Sequence, residues 1–312
     1  MMHPTRAVVD LAALRHNIDL FKRHMAPGVA LMAVVKASAY GHGALPIAEA
    51  ALSAGASWCG VATLPEALEL RGAGITAPVL VMGYTPAHMA SDAIRADVRV
   101  NICDISVARA FSVAAAQLQS RCRVHVKVDT GMGRLGARPA DAPGHINIIA
   151  SLPGLEVEGV FTHFSCADSD ADYTAAQIDR FDSMLDRIKR PPVVHACNSA
   201  ATMAFPQAHY SMVRVGAAMY GLSPFAPGCP PAPLFEKLRP VLAWHATIAS
   251  VRRMPHGSAI SYGATHVCEG ERIIGVVPVG YGDGFRRAPH AHAEVLVRGR
   301  RACMRRKSTK TE

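Results

Sequence analysis

LMAVVKASAYGHG, residues 31–43, sets five apolar residues in front of a lysine, Lys36, and follows it with a turn-forming run holding Tyr40, His42 and two glycines. The apolar part reads as a buried strand, so the lysine stands where the strand leaves the core. Burial disfavours the charged form of lysine and lowers its pKa, which turns an inert cation into a usable amine. The plainer reading is a lysine at a strand exit whose head group reaches water. What the other strands bring to the same place decides between the two.

Seven further apolar runs repeat the pattern: 58–63 (WCGVAT), 78–83 (PVLVMG), 98–103 (VRVNIC), 123–129 (RVHVKVD), 157–163 (VEGVFTH), 192–197 (PVVHAC) and 212–220 (MVRVGAAMY). Between them lie Ala- and Leu-rich segments such as 44–55 and 172–190, apolar at i, i+3 and i+4. Near-continuous apolar strands alternating with helices imply a parallel sheet covered on its outside. Eight such units predict a closed (β/α)8 TIM-type barrel. No G-x-G-x-x-G follows any of the strands, which leaves a dinucleotide fold without support.

Near residue 225 the texture changes to a proline-rich stretch, PFAPGCPPAPLFEKLRP, and beyond it strand-like pieces follow one another without a helical pattern. The expected domains are a barrel over 1–235, a mostly β domain over 236–297 that is only partial, and a basic, disordered tail over 298–312. Residues 6–10 form a spare strand, expected to pair with the second domain.

Bulk properties exclude several classes. Of the 312 residues half are hydrophobic and 6% aromatic, and the formal charge is +9. From Arg298 onward seven basic side chains stand against one acid, which leaves only +3 for the rest and no electrostatic footprint for nucleic acid. No apolar run reaches the ~18 residues of a membrane span, and the start lacks the apolar core of a signal peptide. The eight cysteines are scattered without a C-x-x-C pair, a pattern that fits a reducing cytoplasm and favours neither zinc nor disulfides.

In a barrel of this kind the active site is built at the C-terminal ends of the strands. There the sequence places Lys36 and Tyr40, then Asp129 and Arg134 on a glycine-rich loop, His163, Asn198 and Ser199, and Arg214 followed by Gly216. Singly each has a dull explanation: a core histidine, a helix cap, a solvated arginine. Together at one mouth they make a site. Ser199 and Gly216 follow the strands that commonly bind phosphate, and a phosphate opposite a lysine suggests pyridoxal 5'-phosphate held as a Schiff base.

Seven motifs in order, AVVKASAYGHG, HVKVDTGMGRLG, GVFTHFS, HACNSAA, VRVGAAMYGLSP, AISYG and VPVGYGDGF, resemble those of the alanine racemase family. The resemblance runs from about residue 5 to about residue 297; serine at 38, where the family usually has Asp or Asn, is a departure. It implies a racemase that interconverts L- and D-alanine, with Lys36 carrying the cofactor and serving as one base and Tyr262 as the other. Tyr262 would come from the partner subunit of a homodimer. The resemblance further implies cofactor contacts from Tyr40, His163, Asn198, Ser199, Arg214, Gly216 and Tyr220. It assigns substrate contacts to Arg134 and Tyr281, and a possible carbamate to Lys127. No metal is implied.

Two alternatives stay open at this stage: a pyridoxal-phosphate racemase of another amino acid, and a shortened chain that binds the cofactor but has little activity. The second rests on the ending CMRRKSTKTE, which has no strand alternation where the family continues. A non-catalytic barrel that binds the same cofactor is disfavoured by AISYG at 259–263, because such barrels lack the β domain that carries it.

Overall fold

The computed structural model describes residues 5–229, 232–285 and 294–304. Eight strands close the expected barrel: β2 (Ala30–Val34), β3 (Trp58–Val61), β4 (Val79–Tyr84), β5 (Arg99–Ile102), β6 (Cys122–Lys127), β7 (Leu155–Phe161), β8 (Val193–His195) and β9 (Met212–Val215). All neighbours are parallel, and closure comes from β9 pairing with β2, Met32 opposite Arg214. Strands buried on both faces need cover outside and filling inside. Helices such as Ala44–Ser53, Ile105–Gln117 and Ala171–Leu185 supply the cover. Met32, Leu80 and Met212 form one layer of the filling, packed by Trp58, Met82 and Val193.

Several strands are shorter than the apolar runs suggest, and two of them bear on the site. β2 ends at Val34, so Lys36 already belongs to the turn beyond it. β9 ends at Val215, and residues 217–220 form a 3-10 turn. Apolar character continues past both strands because the following segments are buried too, and hydrophobicity alone does not distinguish a strand from a buried turn. Before the barrel, the helix Leu11–His24 is capped by Asp10, whose side chain accepts the amides of Ala12 and Ala13.

The chain divides into two units after Val241. The proline-rich stretch suggested 235/236, but residues up to 241 are tied to the barrel's own elements. Asn17 donates to the Arg239 carbonyl at 2.8 Å and accepts from its amide at 2.8 Å, and the Val241 amide donates to the Tyr220 carbonyl at 3.1 Å.

The other unit joins β1 (Thr5–Val9) to β10 (Leu242–Ala246), antiparallel, with Thr5 opposite Ala246. It also holds β11 (Ser250–Met254) paired with β14 (Arg272–Val276), and β12 (Ala259–Ile260) paired with β13 (His266–Val267). Finally β15 (Glu294–Val297) pairs with β16 (Arg300–Cys303). That last hairpin corrects the expectation of a disordered tail from 298. Arg298 and Gly299 both take positive φ, 49° and 78°, the combination a tight two-residue hairpin turn requires, and Arg301 pairs with Glu294. The basic composition concealed the strand; residues 305–312 of the expected tail lie outside the described residues. Among the described residues no helix is long and apolar enough to cross a membrane.

Candidate active site

Lys36 opens a segment that ordinary sterics disfavour. Ala37, Ser38, Ala39 and Tyr40 all sit in the left-handed region, with φ between 51° and 57°. For L-residues this costs about 1–2 kcal/mol each, so the surroundings must hold the turn. The Glu66 carboxylate accepts the Ala37 amide at 2.7 Å and, through its other oxygen, the amides of Ala62 and Thr63 at the start of the helix Leu64–Gly72. His42 Nδ1 donates to the Ala39 carbonyl at 2.9 Å. The Gly43 amide donates to the Ser38 carbonyl at 2.9 Å.

The left-handed turn carries Tyr40 across to β9. Its ring lies 5.1 Å from that of Tyr220, and a Cβ added to Gly216 would come 2.6 Å from its hydroxyl oxygen. Beside this cradle, Ser199 Oγ receives the amide of Gly216 at 2.9 Å and that of Ala218 at 3.3 Å. Because Ser199 Oγ already accepts these amides, its own hydrogen is left to donate; two hydroxyls beside a gap that only glycine leaves open suit the oxygens of a phosphate ester. Tyr220 lies beneath rather than among them: it is buried, and its hydroxyl donates to the Val34 carbonyl at 3.0 Å. Asn198 takes the bland role, capping the helix Ser199–Ala204 by accepting the Ala201 amide at 3.0 Å and donating to the Phe164 carbonyl at 3.3 Å.

Arg214 is buried on β9. It donates through Nη2 to the carbonyls of Thr162 (3.0 Å) and Ala196 (2.7 Å) and to His163 Nδ1 (3.1 Å), and through Nη1 to His195 Nδ1 (2.8 Å). Its Nε–H and one Nη1 hydrogen take no partner among the described residues, so the guanidinium can still donate to an acceptor such as a ring nitrogen. Burial pushes the guanidinium down to about 10, which leaves it charged at neutral pH. An arginine cannot accept a hydrogen bond, so His163 presents a bare Nδ1 to it and carries its hydrogen on Nε2. Burial and then the charge of Arg214 hold His163 well below the usual imidazole range, so the ring is neutral.

Lys127 ends β6 with its Nζ 5.4 Å from the Phe161 ring centre. Burial, followed by repulsion from Arg134 and Arg214, pushes its ammonium down to about 8. Arg134 is exposed on the loop after Asp129. That loop is shaped by the Asp129 carboxylate, whose Oδ1 accepts the amides of Gly131, Met132 and Gly133 at 2.8–3.0 Å. Tyr173 anchors it by donating to the Gly131 carbonyl at 2.9 Å.

The structure therefore gathers Lys36, Tyr40, Lys127, Arg134, His163, Ser199, Arg214 and Gly216 at the C-terminal ends of the barrel strands. Tyr262 and Tyr281 belong to the other unit, each exposed at the start of a short 3-10 turn. A lysine at a strand exit, a pair of hydroxyls beside the space at Gly216 and a guanidinium with free donors fit pyridoxal 5'-phosphate by the chemistry of the donor set. Sequence reasoning missed Glu66, His195 and His125. One signal was available: a polar residue inside an apolar strand has to find a partner.

Models of the alanine racemase N-terminal domain and C-terminal domain match residues 9–224 and 241–305. The alanine racemase of Symbiobacterium thermophilum is 44% identical over 305 residues, covering 96% of this chain and 80% of that protein. Among solved structures, the alanine racemase of Streptomyces coelicolor superposes with a TM-score of 0.92 at 39% identity, covering 99% of this chain and 83% of that one. The alanine racemase of Bacillus anthracis with bound L-Ala-P gives 0.87 at 37% identity, covering 100% of this chain and 81% of that one.

Proposed function

The chain belongs to the alanine racemase family, and we propose that it interconverts L- and D-alanine with pyridoxal 5'-phosphate held at the barrel mouth. The observation that carries this reading is the convergence of Lys36, the Tyr40–Ser199–Gly216 cradle and Arg214 on one end of one barrel. When bound, the cofactor supplies an electron sink that makes the substrate's α-proton removable.

The residues divide the remaining work. Lys36 would hold the cofactor covalently at rest and, once released, exchange a proton with the substrate on one face. Tyr262, contributed by the partner subunit of a homodimer, would do so on the other; inversion needs two donors on opposite faces. Tyr40 and Ser199 would hold the phosphate in the space that Gly216 leaves, with Tyr220 packed against Tyr40 and Asn198 setting the helix that carries Ser199. Arg214 would donate to the ring nitrogen without surrendering its proton. That restrains the charge drawn into the ring and favours returning a proton to the same carbon over further reaction. His163, neutral and with its hydrogen on Nε2, would pass hydrogen bonding from Arg214 toward Tyr262. Arg134 would meet the substrate carboxylate, and Tyr281 would stand at the entrance. D-alanine made here would feed peptidoglycan synthesis in a bacterial cytoplasm.

The decisive experiment is an assay for D-alanine from L-alanine with the purified chain. Borohydride reduction and peptide mapping should accompany it. The expected result is turnover, with the reduced pyridoxyl label on Lys36. Lys36→Ala should lower the rate by roughly 100-fold or more. Label on Lys22, Lys127 or Lys237 would overturn the assignment of the site.

A further inference from the structure

Inside the barrel a file of polar side chains continues beyond Arg214, away from every residue assigned above to substrate or cofactor. His195 Nε2 lies 2.8 Å from His125 Nδ1, and His125 Nε2 lies 3.3 Å from Glu158 Oε2. Arg99 Nε donates to the same carboxylate at 3.1 Å. His125 and His195 have no exposure at all, and the Glu158 side chain keeps 14% of its surface.

The direction of this file is set from both of its ends, by a group that only donates and a group that only accepts. A guanidinium only donates, so His195 Nδ1 must accept and its hydrogen must sit on Nε2. That hydrogen can only point at His125 Nδ1, which must then be bare, with the second hydrogen on His125 Nε2. A carboxylate only accepts, and Glu158 receives it. A proton added to either ring would set a donor against a donor, and burial already drives both imidazoles below their usual range.

The packing leaves little room for another arrangement. Phe161 stacks on His195 with centroids 4.7 Å apart and planes 2° from parallel. Gly159 lies under His125, where a Cβ would come 2.6 Å from Nδ1. Gly159 sits beside the register shift between β6 and β7, so the irregularity of the sheet and the space for the ring occur together.

We propose that Glu158 is a remote positioning residue for the racemase site: through His125 and His195 its carboxylate fixes the nitrogen that receives Arg214, and so fixes the guanidinium against the cofactor. This rests on the reading of Arg214 as the partner of the ring nitrogen. A neutral amide at 158 can donate as well as accept, so only Arg214 would then set the direction of the file. In the molecules where the file reverses, His195 presents an N–H to Arg214, and the guanidinium loses one of its anchors.

The test uses the full chain with its cofactor bound and 15N-labelled histidine, the two rings being assigned with His125→Gln and His195→Gln. In the wild type, both histidines should show a bare Nδ1 and a protonated Nε2. Glu158→Gln should shift one or both toward the opposite tautomer, alter the visible spectrum of the bound cofactor, and lower kcat by roughly 10- to 100-fold. KM for L-alanine should move by less than about twofold, since a guanidinium that faces the cofactor is not a substrate-binding group. Arg123→Gln removes only the outer ion pair to Glu158 Oε1, at 3.9 Å, on the oxygen that does not face His125, and should leave all readouts unchanged.

A protonated Nδ1 on either ring of the wild type overturns the proposal even if Glu158→Gln does not fold. So does a Glu158→Gln enzyme whose tautomers change while spectrum and kcat do not, because the carboxylate would then be structural only. If the chain makes no D-alanine, the proposed function fails, while the nitrogen shifts and the cofactor spectrum still report on the file.

Discussion

Lys127 shows how one environment can redefine a residue. Its ammonium is pushed down to about 8 by burial and by the nearby charges of Arg134 and Arg214. Near neutral pH a fraction of it is therefore the free amine, and that fraction grows as pH rises through 8. A free amine can bond the carbon of CO2 and release one proton. The product is an anion, which turns two repelling neighbours into partners. We therefore expect Lys127 to carry a carbamate that orients Arg134. Carbon-13 NMR of the enzyme in labelled bicarbonate should show a carbamate resonance that strengthens as the buffer passes from below to above the lysine's pKa. Its persistence in Lys127→Ala would assign it elsewhere.

At the scale of an element, the left-handed turn from Ala37 to Tyr40 is the least favourable piece of backbone at the site. It is held from outside by the helix that begins at Leu64. The Glu66 carboxylate links the two, capping that helix with one oxygen and holding the Ala37 amide with the other. Removing it with Glu66→Ala should cost about 1–2 kcal/mol of stability, because a cap and a charge-assisted hydrogen bond go together. Glu66→Gln keeps one acceptor oxygen and should cost less. Denaturant unfolding followed through the barrel would decide it, and equal stability of Glu66→Ala and wild type would mean the turn is held by something else. Ser38 fits the same picture: the family's Asp or Asn tolerates left-handed backbone better than serine does.

For the whole molecule, the two units differ in how well they cover themselves. The barrel unit buries its strands, whereas the β unit leaves Val251, Ile273 and Leu296 between 64% and 70% exposed. Tyr262 is also exposed, at 72%, on the same unit. If Tyr262 serves the partner's site, Lys36→Ala and Tyr262→Phe are each inactive alone but restore one intact site when mixed. Activity should return to a fraction of the wild-type level as subunits exchange. Demonstrated exchange without recovered activity would place Tyr262 outside the partner's chemistry.

The strand–helix alternation determined the barrel without help, because burial on both faces leaves a periodic record in the chain. The lysine at the first strand's exit and the glycine-rich loop were legible for the same local reason. The second strand of the last hairpin, Arg300–Cys303, was not, since its basic residues read as solvated. Nor was the site's support: Glu66 meets Ala37 across 29 positions, and His195 meets His125 across 70. Barrel closure brings such residues together, and no local pattern records which polar side chains will share an interior. The sequence by itself determined which groups reach the barrel mouth. The tertiary structure alone decided which nitrogen carries each proton, because that depends on neighbours the chain supplies from distant strands.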